Sequence, residues 1–388
     1  MTKESIEVLH LGIKEKKTDG VCIKLPDTSS LALIATKNKF PAIPVTINKS
    51  KYPYSKVKYL FINSGNANAC TGKQGMKNAK DYIDTLSRKL RCSAENILIF
   101  STGIIGQQLP IKKVINVINK CDFKFRSSIK RASMAIMTTD RYEKWVLRKF
   151  KVSGKEVEIR GLCKGAGMIE PNMATMLAFI FIDIRASKNI ISKILKNCAS
   201  DSFNKISVDG DMSTNDSVAL VATGSKSIDL TNKRNYQIIE KNIHNVFNHL
   251  AHMIVSDGEG ATKVCKVSVI KAYSLAQARV ACYSIANSNL FKTALFGEDP
   301  NWGRIIARLG SLNKVKYNSN DVVLKINDIV VFTKGIPVKR LNSKKLNASM
   351  KNSNINIEIC LNAGSHGANM FTSDLSTKYV QINSKYTT

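Results

Sequence analysis

Thr175 opens an apolar run, Met176 to Ile182, directly after the turn-rich stretch Gly165-Ala166-Gly167-Met168-Ile169-Glu170-Pro171-Asn172-Met173-Ala174. A threonine hydroxyl is a weak nucleophile until a base stands beside it, and one such base is the threonine's own α-amine. That amine is free only once the Ala174–Thr175 peptide bond is cut. The residues therefore allow a precursor that cleaves itself and presents Thr175 as the first residue of a new chain. The same letters also read as a plain turn leading into a buried strand, so the pattern gains weight only from its company.

Four more segments are dense in Gly, Asn and carboxylates. Thr102-Gly103 follows an apolar run and offers a hydroxyl and a backbone N–H at one turn, a pair suited to holding the oxyanion of an acyl-transfer intermediate. Ser207–Asp216 packs Asp209, Asp211 and Asp216 into one loop. As a Ca²⁺ loop it lacks the closing glutamate, with Leu220 in that place. Asp257–Lys263 sets Glu259 between glycines, and Gly297–Arg304 is a polar turn opening a helix. No Gly-x-Gly-x-x-Gly or Gly-Lys-Ser/Thr spacing supports dinucleotide or NTP binding. The 9 cysteines stand singly and only 5 histidines are present, so no metal and no cofactor is expected.

The 388 residues carry a net charge of +30. Lysines spread along the whole chain, as in Lys14–Lys17, Lys37–Lys39, Lys49–Lys51, Lys112–Lys113 and Lys344–Lys345, and read as permissive surface positions. Without aromatic interleaving or a nucleic-acid motif, the charge predicts weak polyanion affinity and no specific nucleic-acid partner. No apolar run reaches bilayer length and the first residues lack a signal-peptide pattern. Reduced thiols in the cytoplasm are expected.

These segments need scaffolding. Helices are predicted from Met76 to Leu90, after Pro110, over Ile190–Cys198 and from Tyr236 to Val255, each with apolar residues three and four apart. Strands are predicted at Tyr59–Asn63, Ile97–Phe100, Glu156–Arg160, Thr175–Asp183, Ser217–Thr223, Lys263–Tyr273, Val322–Phe332, Ile355–Leu361 and Lys378–Asn383. They alternate in blocks, which predicts an α/β protein with sheets covered by helices rather than a barrel or a doubly wound sheet.

Taken together, the motifs resemble the glutamate N-acetyltransferases, also called ornithine acetyltransferases, of arginine biosynthesis. The resemblance runs from about Lys14 to Thr388. It is carried by Asn63–Gly72, Ser101–Gly106, Ala135–Asp140, Lys164–Leu177, Ser207–Asp216, Asp257–Lys263, Gly297–Arg304 and Tyr379–Thr388. The resemblance implies an αββα sandwich similar to the N-terminal-nucleophile hydrolases, but with distinct connectivity, plus a smaller α/β C-terminal part. It implies self-cleavage between Ala174 and Thr175 into chains 1–174 and 175–388, which stay intertwined and pair into an α₂β₂ heterotetramer. Thr175 is then the nucleophile, and Thr102 and Gly103 form the oxyanion hole. Thr138, Lys164, Thr175, Glu259, Asn383 and Thr388 bind substrate. Lys164 suits a carboxylate, and Glu259 an α-ammonium or the ornithine amine. The implied reaction moves acetyl from N²-acetylornithine to glutamate, with acetyl-CoA as a second donor in some members. An aminopeptidase or amidase built on the same nucleophile is the alternative.

Two runs depart from the family pattern. After Met137-Thr138-Thr139-Asp140 the family has a small residue and then Pro-Lys, where this chain reads Arg141-Tyr142-Glu143-Lys144. The family's Trp-Gly-Cys-Asp-Leu-Thr reads here Phe371-Thr372-Ser373-Asp374-Leu375-Ser376.

Overall fold

The computed structural model describes residues 5–170 and 176–385. Ala174, Thr175 and Thr388 lie outside the described residues. Two compact units divide the chain. Among the described residues, one comprises those up to Asn204 with 211–254, the other Lys205–Gly210 with 255–385.

The first unit holds two sheets. A four-stranded sheet runs Ser5–Leu9, Gly20–Lys24, Tyr59–Asn66, Ile97–Ile104, with the last pair parallel. A five-stranded sheet runs Ser30–Ala35, Ser217–Lys226, Leu177–Ile184, Lys155–Lys164, Lys144–Val152. Its one parallel pair joins Ser217–Lys226 to Leu177–Ile184. The inner faces share one core, with Ile62, Leu98 and Phe100 from the first sheet and Leu162, Phe179, Phe181 and Val221 from the second. Phe100 and Phe179 meet edge to face across it, with ring centroids 4.9 Å apart.

Helices cover both outer faces. Tyr82 and Leu86 of Gly72–Leu90, and Val114 and Ile118 of Ile111–Lys120, pack on Phe61, Ile97 and Ile99. On the far side Lys188–Ser200 lies over Ser30–Ala35 and Ser217–Lys226. Lys233–Ser256 lies over Lys155–Lys164, so closely that a Cβ on Gly161 would stand 3.0 Å from Leu250. Helix, sheet, sheet, helix is the αββα sandwich that was expected. Leu177–Ile184 is buried at every residue, which explains an apolar run without alternation.

The second unit is built on a seven-stranded sheet. Its order is Ile336–Pro337, Ile329–Thr333, Val323–Ile326, Asn354–Cys360, Val264–Ala272, His366–Ser373, Ile206–Ser207. Its core joins Val267, Val269, Ile357 and Ile359 to Ala278, Cys282 and Ile285 of helix Leu275–Ala286, Phe291 of Asn289–Phe296 and Ile305 of Trp302–Gly310.

Three expectations are corrected. The span Val322–Phe332 is a hairpin, because Asn327 and Asp328 take positive φ of 45° and 64° and turn the chain. Lys378–Asn383 is not a strand but part of a helix, Thr377–Asn383, started by Ser376, whose Oγ accepts from Tyr379 N at 3.3 Å. A good cap outweighs five residues of alternation. Nor are the lysines all surface residues. Lys14 donates to the Ala135 and Met137 carbonyls at 3.0 Å each, Lys51 donates to those of Ala94 and Ile97, and the side chains of Lys144, Lys164, Lys263 and Lys292 are buried. Among the described residues, no helix is long and apolar enough to cross a membrane.

Candidate active site

The Thr102–Gly103 pair sits inside a strand, not on a loose turn, since pairing continues to Ile104. Gly103 lies opposite Gly65 in the parallel ladder, with φ of +133°. A Cβ there would collide with the Gly65 carbonyl carbon and stand 2.5 Å from Asn66 N. Two backbones touch at this point, and only glycine allows it. Thr102 is buried beside it.

Buried amides brace this place from several sides. Ser101 Oγ donates to Asn63 Oδ1 at 2.6 Å, and Asn63 Nδ2 donates to the Asn66 carbonyl at 2.8 Å. Asn215 Nδ2 donates to both the Ala67 and Ser101 carbonyls, at 2.7 and 2.8 Å. Fixed donors and acceptors of this kind hold a dipole pair in place before a charge forms.

A second cluster in the same unit gathers Thr138 and Lys164 around Asp140. The Asp140 carboxylate accepts from Thr138 N at 2.9 Å, Gly165 N at 2.8 Å and Lys144 Nζ at 2.7 Å, and Lys164 Nζ stands 4.0 Å away. Asp140 and Lys144 side chains are both fully buried. Burial alone would raise the carboxyl pKa. The Lys164 and Lys144 ammoniums and the N–H donors outweigh it, holding Asp140 below the usual carboxylate range. Lys14 and Ser64, through their bonds to the Ala135 carbonyl, anchor the segment leading to Thr138. Burial lowers the Lys14 pKa to about 8.

Glu259 and Asn383 meet in the second unit. Asn383 Nδ2 donates to Glu259 Oε2 at 2.8 Å and to the Tyr379 carbonyl at 3.1 Å. The turn carrying Glu259 is pinned to the final helix, because Ser376 Oγ donates to the Gly260 carbonyl at 2.7 Å. Asp374 accepts from Thr262 N, Thr262 Oγ1 and Lys263 N at 2.8, 2.6 and 3.0 Å. Behind it the buried Lys292 ammonium donates to Thr372 Oγ1 at 2.9 Å and to the Ser373 carbonyl.

The sequence-derived site residues thus fall into three groups: Thr102 with Gly103, Thr138 with Lys164, and Glu259 with Asn383. The carboxylates of Ser207–Asp216 serve separate partners, since Asp209 takes the Tyr379 hydroxyl and Asp216 the Met176 N–H. Among the described residues no group of His, Cys, Asp and Glu is arranged to hold a metal ion. Sequence reasoning missed Asp140, Lys144, Asn215 and Asp216 as parts of the site. Lys144 closes one of the two departing runs, and a charged residue following Thr-Thr-Asp was the available signal.

The ArgJ family model matches residues 5–388. The chain belongs to the ArgJ family. It is 39% identical over 406 residues to the mitochondrial arginine biosynthesis bifunctional protein ArgJ of Dictyostelium discoideum, covering 97% of this chain and 90% of that protein. Against the arginine biosynthesis bifunctional protein ArgJ of Caldanaerobacter subterraneus subsp. tengcongensis it is 38% identical, covering 97% and 95%. The crystal structure of the arginine biosynthesis bifunctional protein argJ from Bacillus halodurans is similar at 30% identity and a TM-score of 0.50, over 55% of this chain and all of that one.

Proposed function

We propose that this chain is a self-processing acetyltransferase that moves the acetyl group of N²-acetylornithine to glutamate through an ester on Thr175. Ornithine and N-acetylglutamate are the products. The observation that carries the reading is the Gly103–Gly65 contact within a chain of this family, because it fixes the backbone of a Thr-Gly pair of the kind that can stabilise an acyl-transfer oxyanion. In the reaction, the Thr175 amine takes the hydroxyl proton as the oxygen attacks the acetyl carbonyl. Thr102 and Gly103 steady the resulting oxyanion. The leaving amine takes the proton back. Glutamate then enters and reverses the sequence. In this reading Thr138, Lys164, Thr175, Glu259, Asn383 and Thr388 bind substrate, with Lys164 suited to a carboxylate and Glu259 to an amine.

Processing would give chains 1–174 and 175–388. The five-stranded sheet supports their staying together, since Leu177–Ile184, from after the cut, pairs with Lys155–Lys164, from before it. Residues 175–388 also make up about 55% of the chain, the share matched by the whole Bacillus halodurans chain. Acetyl-CoA is proposed as a second acetyl donor, in keeping with the word bifunctional in the relatives' names. Two copies of each chain in the cytoplasm complete the proposal. The test is to supply acetyl-labelled acetylornithine with glutamate. Label on glutamate supports the transferase. Label only in free acetate makes the protein a hydrolase.

A further inference from the structure

Lys14 belongs to neither group of site residues in the first unit, yet its side chain reaches both. Its loop is held from within. The buried Asp19 carboxylate accepts from Leu11 N at 2.5 Å, Ile13 N at 2.7 Å and Lys14 N at 2.8 Å. The Asp19 carbonyl accepts from Ser64 N at 2.8 Å. One residue therefore fixes both the loop and the approach to Gly65.

From this loop the lysine stem crosses Gly65. A Cβ on Gly65 would stand 2.9 Å from Lys14 Cγ and 3.0 Å from Ile13 Cγ2, and its φ is +94°. The Gly65 backbone thus packs against the lysine stem as well as against Gly103. The stem ends in an ammonium that donates to the Ala135 and Met137 carbonyls at 3.0 Å each. Ala135 closes helix Ile129–Ala135, and the last carbonyls of a helix have no partner within it. A cation suits that end, where the helix dipole is negative. Ser64 Oγ supplies a second donor to the Ala135 carbonyl at 2.6 Å. Thr138 follows directly, with its N–H on Asp140. The charged groups bearing on the ammonium are Asp19 and Lys17 from its own loop, and Asp140 and Lys164 from the cluster.

We infer that Lys14 is a positioning residue that couples the Thr102–Gly103 pair to the Thr138–Lys164 cluster. Its stem keeps the Gly65 backbone against Gly103, and its ammonium holds the carbonyls that set Thr138. The role rests on the reading above, in which the pair stabilises the oxyanion and the cluster binds substrate.

Two substitutions separate the stem from the ammonium, with steady-state kinetics as the readout. Lys14→Met keeps most of the stem and removes the charge. KM for acetylornithine should rise about tenfold, the scale of a lost charge-assisted hydrogen bond, with kcat nearly unchanged. Lys14→Ala removes the stem as well, so kcat should also fall about tenfold as the oxyanion pair loosens. Pairing each variant with the residue it acts through tests the route. Lys14→Met should add little to the KM of Lys164→Met, and Lys14→Ala little to the kcat loss of Thr102→Ala. Losses that multiply in both pairs mark a general structural role and overturn the inference, as do wild-type kinetics in Lys14→Ala. Ser64→Ala takes the other donor from the Ala135 carbonyl and leaves Lys14 in place, so it serves even if the Lys14 variants do not fold. A KM raised about threefold or more there supports the coupling, and an unchanged KM overturns it. If Lys164→Met and Thr102→Ala themselves turn over like wild type, the reading of the site fails and the coupling fails with it.

Discussion

Replacing Lys144 by methionine leaves Asp140 buried with its closest counter-charge gone. Both side chains are fully inaccessible and their charged atoms are 2.7 Å apart. Removing one partner of such a pair typically costs about 3–5 kcal/mol. Lys164 lies 4.0 Å from the same carboxylate and can move in, which places the expected loss near the low end, at about 3 kcal/mol. A unit of this size should then melt roughly 6–12 °C lower. The functional effect has its own signature. In the proposed reading a Lys164 drawn onto Asp140 is lost to the substrate carboxylate, so KM for acetylornithine should rise about tenfold or more while kcat changes less. Asp140→Asn alone strands the Lys144 ammonium and should cost a similar amount. The double variant Asp140→Asn/Lys144→Met removes both buried charges and should be more stable than the sum of the singles by about 2 kcal/mol. Urea unfolding and steady-state kinetics on the four proteins complete the cycle. Strict additivity, or a KM unchanged in Lys144→Met, would refute the reasoning.

Other substitutions test other parts. Gly103→Ala forces a Cβ into the Gly65 backbone and should lower kcat about 100-fold or more by shifting the proposed oxyanion donors, with unchanged kcat as the contrary outcome. Lys292 is held at a pKa of about 8 by burial, against an ordinary 10.5. Between those values the unfolded chain binds more protons than the folded one, so stability rises with pH across this window. The cost present below it is up to about 3 kcal/mol. Denaturant midpoints at pH 7.5 and 9.5 should therefore diverge more in wild type than in Lys292→Met. Asn383→Ala removes the donor to Glu259 and should weaken kcat/KM about tenfold while leaving the thermal midpoint nearly unchanged. Deleting 385–388, which includes Thr388, should give a similar loss with folding intact.

Elements with a strong apolar period were readable in the sequence, and helices Gly72–Leu90, Ile111–Lys120 and Lys233–Ser256 fall where the spacing of Ile83, Val114 and Ile243 put them. The Ser101–Gly106 segment was readable as chemistry, but its rigidity was not. That depends on Gly65 and Asn215, far along the chain, and only packing brings them to Gly103. Lys14, Lys144 and Lys292 looked like solvent charges because residue type does not reveal burial; carbonyl and hydroxyl partners far along the chain place Lys14 and Lys292, and a buried carboxylate four residues earlier places Lys144. The final helix was misread because Tyr379–Asn383 alternates over too few residues to outvote the Ser376 cap. Asp216 was visible as one of three loop carboxylates. Its partner Met176 lies 40 residues away and only the parallel pairing of two strands joins them.

The central claim is that Thr175 becomes a chain terminus and carries the acetyl group. Intact-mass spectrometry of the purified protein, with and without acetylornithine and no glutamate, tests it most directly. The account predicts fragments 1–174 and 175–388, with one acetyl group added to the second by acetylornithine and removed when glutamate follows. A single uncut chain that still transfers acetyl, or two fragments that never gain it during turnover, would contradict the account.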